Sequence, residues 1–150
     1  MSSAPVPREL PAAFSTLGYA GLVPFVACVL GIALLDGEQR AFAVRALIGY
    51  GAVILSFLGA VHWGVALSRT GPATARTLVA GVLPSLTGWV ALLLPQRFAL
   101  TLLVVCFGVF WLYEHRVLGE SLLPHSYLRL RRYLTVAVCS LLALGVLALG

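Results

Sequence analysis

The sequence predicts an all-α polytopic membrane bundle of five transmembrane helices, with the N-terminus cytoplasmic and the C-terminus outside. Three observations carry that expectation. Of 150 residues, 61% are hydrophobic and only 10% are charged, whereas soluble globular chains carry about 45–50% apolar and about 25% charged residues. The apolar residues form long continuous runs, and a helix needs roughly 20 such residues to cross a hydrocarbon core of about 30 Å. The charges, ten Arg and no Lys against Glu9, Asp36, Glu38, Glu114 and Glu120, gather between the runs. A water-soluble surface cannot be assembled from so few charges. This excludes a soluble enzyme, a disordered chain and a disulfide scaffold. The net charge of +5 lies on no basic face that could track a phosphate backbone, so nucleic acid is not an expected partner.

Residues 1–14 read as a short polar tail and 15–150 as a single five-span domain. The first run, Ser15 to Leu35, ends at Asp36-Gly37-Glu38-Gln39-Arg40. It is too long for the apolar region of a cleavable signal peptide, and the tail is not an Arg-rich transit peptide. The second run covers Ala46 to Leu67, with Arg45 and Arg69 placed to snorkel at its ends. Thr70-Gly71-Pro72 is a turn signal. The third, Thr77 to Leu94, stops at Pro95-Gln96-Arg97, which leaves room only for a tight hairpin. The fourth runs from Phe98 to Tyr113. A polar stretch from Glu114 to Arg132 follows, and the fifth fills Tyr133 to the C-terminus. Strand alternation is absent, which argues against a small barrel.

Arginine sets the orientation. With five spans, one side holds Arg8, Arg69, Arg76, Arg116, Arg129, Arg131 and Arg132, and the other only Arg40, Arg45 and Arg97. The richer side is expected to be cytoplasmic, in a bacterial inner membrane. Small residues should mediate helix packing, because lipid is as apolar as a side-chain core. Ala52, Ser56, Ala60 and Gly64 recur every four residues in the second span. Gly21, Pro24, Cys28 and Gly31 share a face of the first, and Gly81/Ser85 with Pro84/Gly88 do so in the third. Pro24 and Pro84 should kink their helices and free a backbone carbonyl. Cys28, Cys106 and Cys139 share no C-x-x-C spacing and read as small buried hydrophobes, with a metal pair as the alternative.

Chemistry in a membrane protein concentrates at ionisable side chains within spans. His62, in Val61-His62-Trp63-Gly64, lies about 7–8 Å inside the end of its span. It is either a neutral structural imidazole or part of a ligand or proton site. His115 and His125 fall on the same side, as do Glu114 and the basic segment Tyr127-Leu128-Arg129-Leu130-Arg131-Arg132-Tyr133. That segment reads as the positive-inside anchor of the last helix, with Arg129, Arg131 and Arg132 available to anionic lipid or a protein partner. A bis-histidine haem requires two ligands at matching depth, and His115 should lie shallower than His62. No nucleophile, phosphate-loop or zinc motif is present in the sequence.

Gly18-Tyr19-Ala20-Gly21-Leu22-Val23-Pro24-Phe25 and Tyr50-Gly51-Ala52, followed by Phe57-Leu58-Gly59-Ala60-Val61-His62-Trp63-Gly64, resemble the family known as domain of unknown function 3429. Leu83-Pro84-Ser85 with Trp89, and Tyr127-Leu128-Arg129-Leu130-Arg131 with Leu134-Thr135, extend the resemblance over nearly the whole chain in the right order. Ser126 stands where the family tends to carry Trp, and Glu114-His115 where it tends to carry Asp. The resemblance implies a small bacterial inner-membrane protein with mitochondrial relatives, and no particular activity.

The leading expectation is a non-catalytic accessory or assembly subunit that packs against lipids, other inner-membrane components or a second copy of itself. The alternative is a site for a small hydrophobic ligand (quinone, haem or lipid headgroup) built from His62, Trp63, Tyr19, Glu114 and His115. A small transporter resting on Pro24 and Pro84 ranks third. No resident cofactor or metal is expected, haem and quinone being the open exceptions.

Overall fold

The computed structural model describes residues 12–68, 75–117 and 125–150. The tail bearing Arg8 and Glu9, the turn Thr70-Gly71-Pro72 with Arg69, and Glu120 lie outside the described residues. Six helices make up the rest: α1 (Ala12–Ala20), α2 (Val23–Leu34), α3 (Gly37–Ser68), α4 (Ala75–Leu93), α5 (Gln96–Val117) and α6 (His125–Ala148). Helices α1 and α2 are halves of one crossing, so the described residues hold five helical segments long and apolar enough to span a bilayer.

The first crossing breaks at Gly21–Leu22. Pro24 has no N–H to continue the ladder, and its ring opposes a regular helix one turn back. Tyr50 of α3 donates its hydroxyl to the Gly21 carbonyl at 3.0 Å, and the Phe25 ring sits edge-on against Tyr50 at 4.9 Å. The interruption foreseen at Pro24 is therefore present, and the Gly21 carbonyl at the break is satisfied by a neighbouring helix. The next corner turns at Gly37, whose φ of 56° suits a residue without Cβ. Arg40 then donates Nε to the Ile32 carbonyl at 3.1 Å and its terminal nitrogen to the Ala148 carbonyl. This ties the corner to the C-terminus of α6, where a cation complements the helix end. Residue 12 thus lies at one end of the bundle and residue 148 at the other.

Helix α3 has 32 residues and at about 1.5 Å per residue exceeds the hydrocarbon thickness. It pairs with α4 almost backbone to backbone. A Cβ on Gly59 would lie 2.3 Å from the Gly81 carbonyl oxygen, and one on Gly88 would lie 3.0 Å from that of Ala52. The face in contact differs from the expected stripe of Ala52, Ser56, Ala60 and Gly64. Ala60 and Gly64 are exposed, and nothing lies within 4 Å of a Cβ on Gly64. The buried face of α3 runs instead through Gly51, Ala52, Leu55, Gly59, His62 and Ala66. Likewise α4 buries Gly81, Pro84, Gly88 and Ala91 and leaves Ser85 exposed. It runs through Pro84 as one helix, with the proline ring against Gly59.

The α4–α5 hairpin turns at Leu94-Pro95 as expected, and Ala99 donates to the Pro95 carbonyl at 2.9 Å. Phe25, Leu47, Leu55, Leu100, Leu103, Phe107 and Leu142 fill the centre. The cysteines are half-buried and unpaired, and Cys139 Sγ donates to the Val104 carbonyl at 3.7 Å. One boundary is corrected. The polar stretch from Glu114 to Arg132 is largely helical: α5 continues to Val117 and α6 begins at His125.

Candidate functional site

That correction builds the site. Helix α5 buries Ala99, Leu100, Leu103, Phe107, Phe110 and then Glu114, a three-and-four spacing that keeps one face inward. Helix α6 does the same in reverse with Arg131, Thr135, Val138, Leu142 and Gly145. On α3 the sequence is Leu55, Gly59, His62 and Ala66. In each helix the core stripe reaches a polar side chain at the same end of the bundle. His62, Glu114 and Arg131 are respectively 0%, 2% and 6% exposed.

Arg131 Nε donates to Glu114 Oε2 at 2.9 Å, and its Nη1 donates to Thr135 Oγ1 at 2.6 Å. The Thr135 hydroxyl donates in turn to the carbonyl of Arg131, one turn back, at 2.8 Å. The other Glu114 oxygen, Oε1, faces His62 Nδ1 at 3.9 Å, beyond hydrogen-bond length. The imidazole is flanked by Phe110 and Tyr113, with ring centroids 4.9 and 5.9 Å away. Both His62 nitrogens, Glu114 Oε1, Arg131 Nη2 and Ser126 Oγ are buried without a hydrogen-bond partner of good geometry among the described residues, the Leu58 backbone one turn back being the imidazole's nearest substitute. Each such atom costs about 1–3 kcal/mol, more when charged. Three of these residues, His62, Glu114 and Arg131, are neighbours, and unspent capacity shared among them calls for an explanation such as a bound polar group.

A groove of about 650 Å³ adjoins the cluster. Phe14, Leu17 and Gly18 of α1, Phe57, Leu58 and Val61 of α3, and Tyr127, Leu130, Arg131 and Leu134 of α6 line it. Arg131 thus belongs to both the cluster and the groove wall. The walls are otherwise apolar, and the volume falls within the roughly 300–1,000 Å³ of small-molecule sites.

The expected site residues do not all assemble. His62 and Glu114 come together. Trp63, next in sequence, is 44% exposed and donates its indole N–H to the Leu78 carbonyl at 3.2 Å, which places it against α4. Tyr19 is half exposed and lies outside the groove lining, although Gly18 is in it. His115 is exposed and stacks on Trp111 at 5.7 Å. The rings against His62 are those of Phe110 and Tyr113. Arg129 and Arg132 are exposed, whereas Arg131 is buried and turns inward to Glu114. Thr135 and Ser126 carried no site expectation. The signal was available, since Arg131 and Thr135 continue the spacing of Val138, Leu142 and Gly145. Among the described residues no group of three or more His, Cys, Asp or Glu side chains is placed to hold a metal ion.

These features define a polytopic helical membrane protein that buries an ionisable cluster at one end of its bundle. Residues 10–147 match the family described as protein of unknown function (DUF3429), and the chain belongs to that family. It is 35% identical to transmembrane protein 69 of Xenopus tropicalis over 139 residues, covering 89% of this chain and 54% of the relative. It is 33% identical to transmembrane protein 69 of Mus musculus over 103 residues, 66% of this chain and 41% of the relative. The chain spans about half the length of the curated relatives it matches. No solved structure matches it.

Proposed function

We propose that the protein binds a small amphipathic molecule with an uncharged polar head and an apolar tail. The head sits among His62, Glu114 and Arg131, and the tail lies in the groove between α1, α3 and α6. One observation carries this reading: a fully buried imidazole has no partner of good hydrogen-bond geometry, only the Leu58 backbone one turn back, and it lies beside an unspent carboxylate oxygen and an unspent guanidinium nitrogen. Arg131 and Glu114 neutralise each other, so the site favours a neutral head over an anion. A quinone suits it: its carbonyl oxygens accept from Arg131 Nη2 or an imidazole N–H, and its ring has Phe110 and Tyr113 nearby. The accessory-subunit reading leaves those polar atoms unexplained, because packing against a partner requires none of them. The transporter reading has less to rest on at the break before Pro24, where Tyr50 already takes the Gly21 carbonyl.

We place the cluster in the cytoplasmic half of a bacterial inner membrane, because Arg76, Arg116, Arg129 and Arg132 crowd that end of the bundle. Purification in mild detergent, followed by organic extraction and mass spectrometry, tests the binding. A neutral tailed molecule should accompany the wild type and disappear from His62→Leu and Arg131→Met. A wild type that emerges without any small molecule, but with a stoichiometric protein partner, would return the accessory subunit to first place.

A further inference from the structure

A second feature lies at the same end, on the opposite side of the start of α6. A cleft of about 310 Å³ is lined by Trp111 and His115 from the last turns of α5, and by His125, Leu128, Arg129 and Arg132 from the first turns of α6. At about 100° per residue, Arg129 and Arg132 stand roughly 60° apart on one face, while Arg131 is directed well away from Arg129. The basic segment is therefore two devices. Arg131 serves the buried cluster, and the outer pair serves the cleft.

We infer that this cleft is a binding site for the phosphate of an anionic membrane phospholipid. Both guanidiniums are exposed, and among the described residues neither lies within ion-pair distance of a carboxylate. Glu114, the carboxylate on the neighbouring α5, is buried and bonded to Arg131. Arg132 lies over the Tyr133 ring at 5.5 Å, and the His115 imidazole stacks on Trp111, so aromatic side chains hold two of the cleft's polar groups in place. Helix α6 has 24 residues, or about 36 Å, which exceeds the hydrocarbon core by several residues. Its opening turns therefore fall at headgroup level, where Trp, Tyr and Arg concentrate. The planar, forked guanidinium matches phosphate oxygens. The neutral pairing inside the bundle and the exposed guanidiniums at its rim select different molecules, so this site stands independently of the ligand proposed above.

The test is binding of phosphatidylglycerol, phosphatidylcholine and inorganic phosphate to the purified full chain in mild detergent, followed by native mass spectrometry. The wild type should retain phosphatidylglycerol in preference to phosphatidylcholine. The double variant Arg129→Gln/Arg132→Gln should weaken phosphatidylglycerol binding roughly thirtyfold, from about 1 kcal/mol per Arg near an acidic leaflet. Arg76→Gln, an exposed charge at the same end but outside the cleft, should leave the preference unchanged. Equal retention of both lipids, or an unaltered double variant, would overturn the site. An equal loss in Arg76→Gln would reduce it to the general charge of that end. Inorganic phosphate that displaces phosphatidylglycerol at comparable concentration would make it a free-phosphate site instead.

Discussion

Replacing Glu114 and Arg131 singly and together separates what the buried pair does for folding from what it does for binding. Glu114→Leu leaves the guanidinium of a 6% exposed arginine with no anion, and Arg131→Met leaves a 2% exposed carboxylate with no cation. Removing one partner of a buried pair costs about 3–5 kcal/mol, because the remaining charge stays desolvated. The two single losses would therefore sum to about 6–10 kcal/mol if they were independent. They are bonded at 2.9 Å, so the double variant should instead return to within about 1–2 kcal/mol of wild type, both charges and their desolvation having gone together. Thr135 tolerates the change, since its hydroxyl still donates to the backbone carbonyl of residue 131. SDS-driven unfolding in mixed micelles, followed by far-ultraviolet circular dichroism, measures all four proteins. A double variant as unstable as the sum of the singles would refute the pairing. A double variant that folds well yet has lost its co-purifying ligand shows that the pair is kept for recognition.

Three further outcomes follow from the helix contacts. Gly59→Ala should cost about 1–3 kcal/mol by overpacking, because its Cβ would meet the Gly81 carbonyl at 2.3 Å, whereas Gly64→Ala meets nothing within 4 Å and should stay within about 0.5 kcal/mol. Equal effects in the same unfolding titration would mean that α3 presents another face to α4. Tyr50→Phe should lose about 1 kcal/mol by stranding the Gly21 carbonyl, and an unchanged midpoint would show that carbonyl to be satisfied otherwise. A reporter active only outside the cytoplasm should work when fused after Gly150 and fail when inserted between residues 117 and 125; the reverse pattern would invert the proposed orientation.

The sequence by itself determined the class, the number of crossings and the sites of their interruption. Length and continuity of apolar runs mark a span, whatever its neighbours are. Pro24 removes a backbone donor wherever it stands, and Pro95 ends a helix in any context. His62 and Glu114 were legible as candidates because an ionisable group within or beside a span is expensive and therefore conspicuous. Only the tertiary structure decided which face of α3 turns inward. Lipid and core are equally apolar, so hydropathy distinguishes Ala60 and Gly64 from Gly59 and Ala66 hardly at all, and close backbone approach makes the choice. It also decided the fate of Arg131. A cation near a span end can reach headgroups or enter the bundle, and the outcome depended on α6 beginning at His125, which set Arg131 in register with Glu114 on a helix distant in sequence.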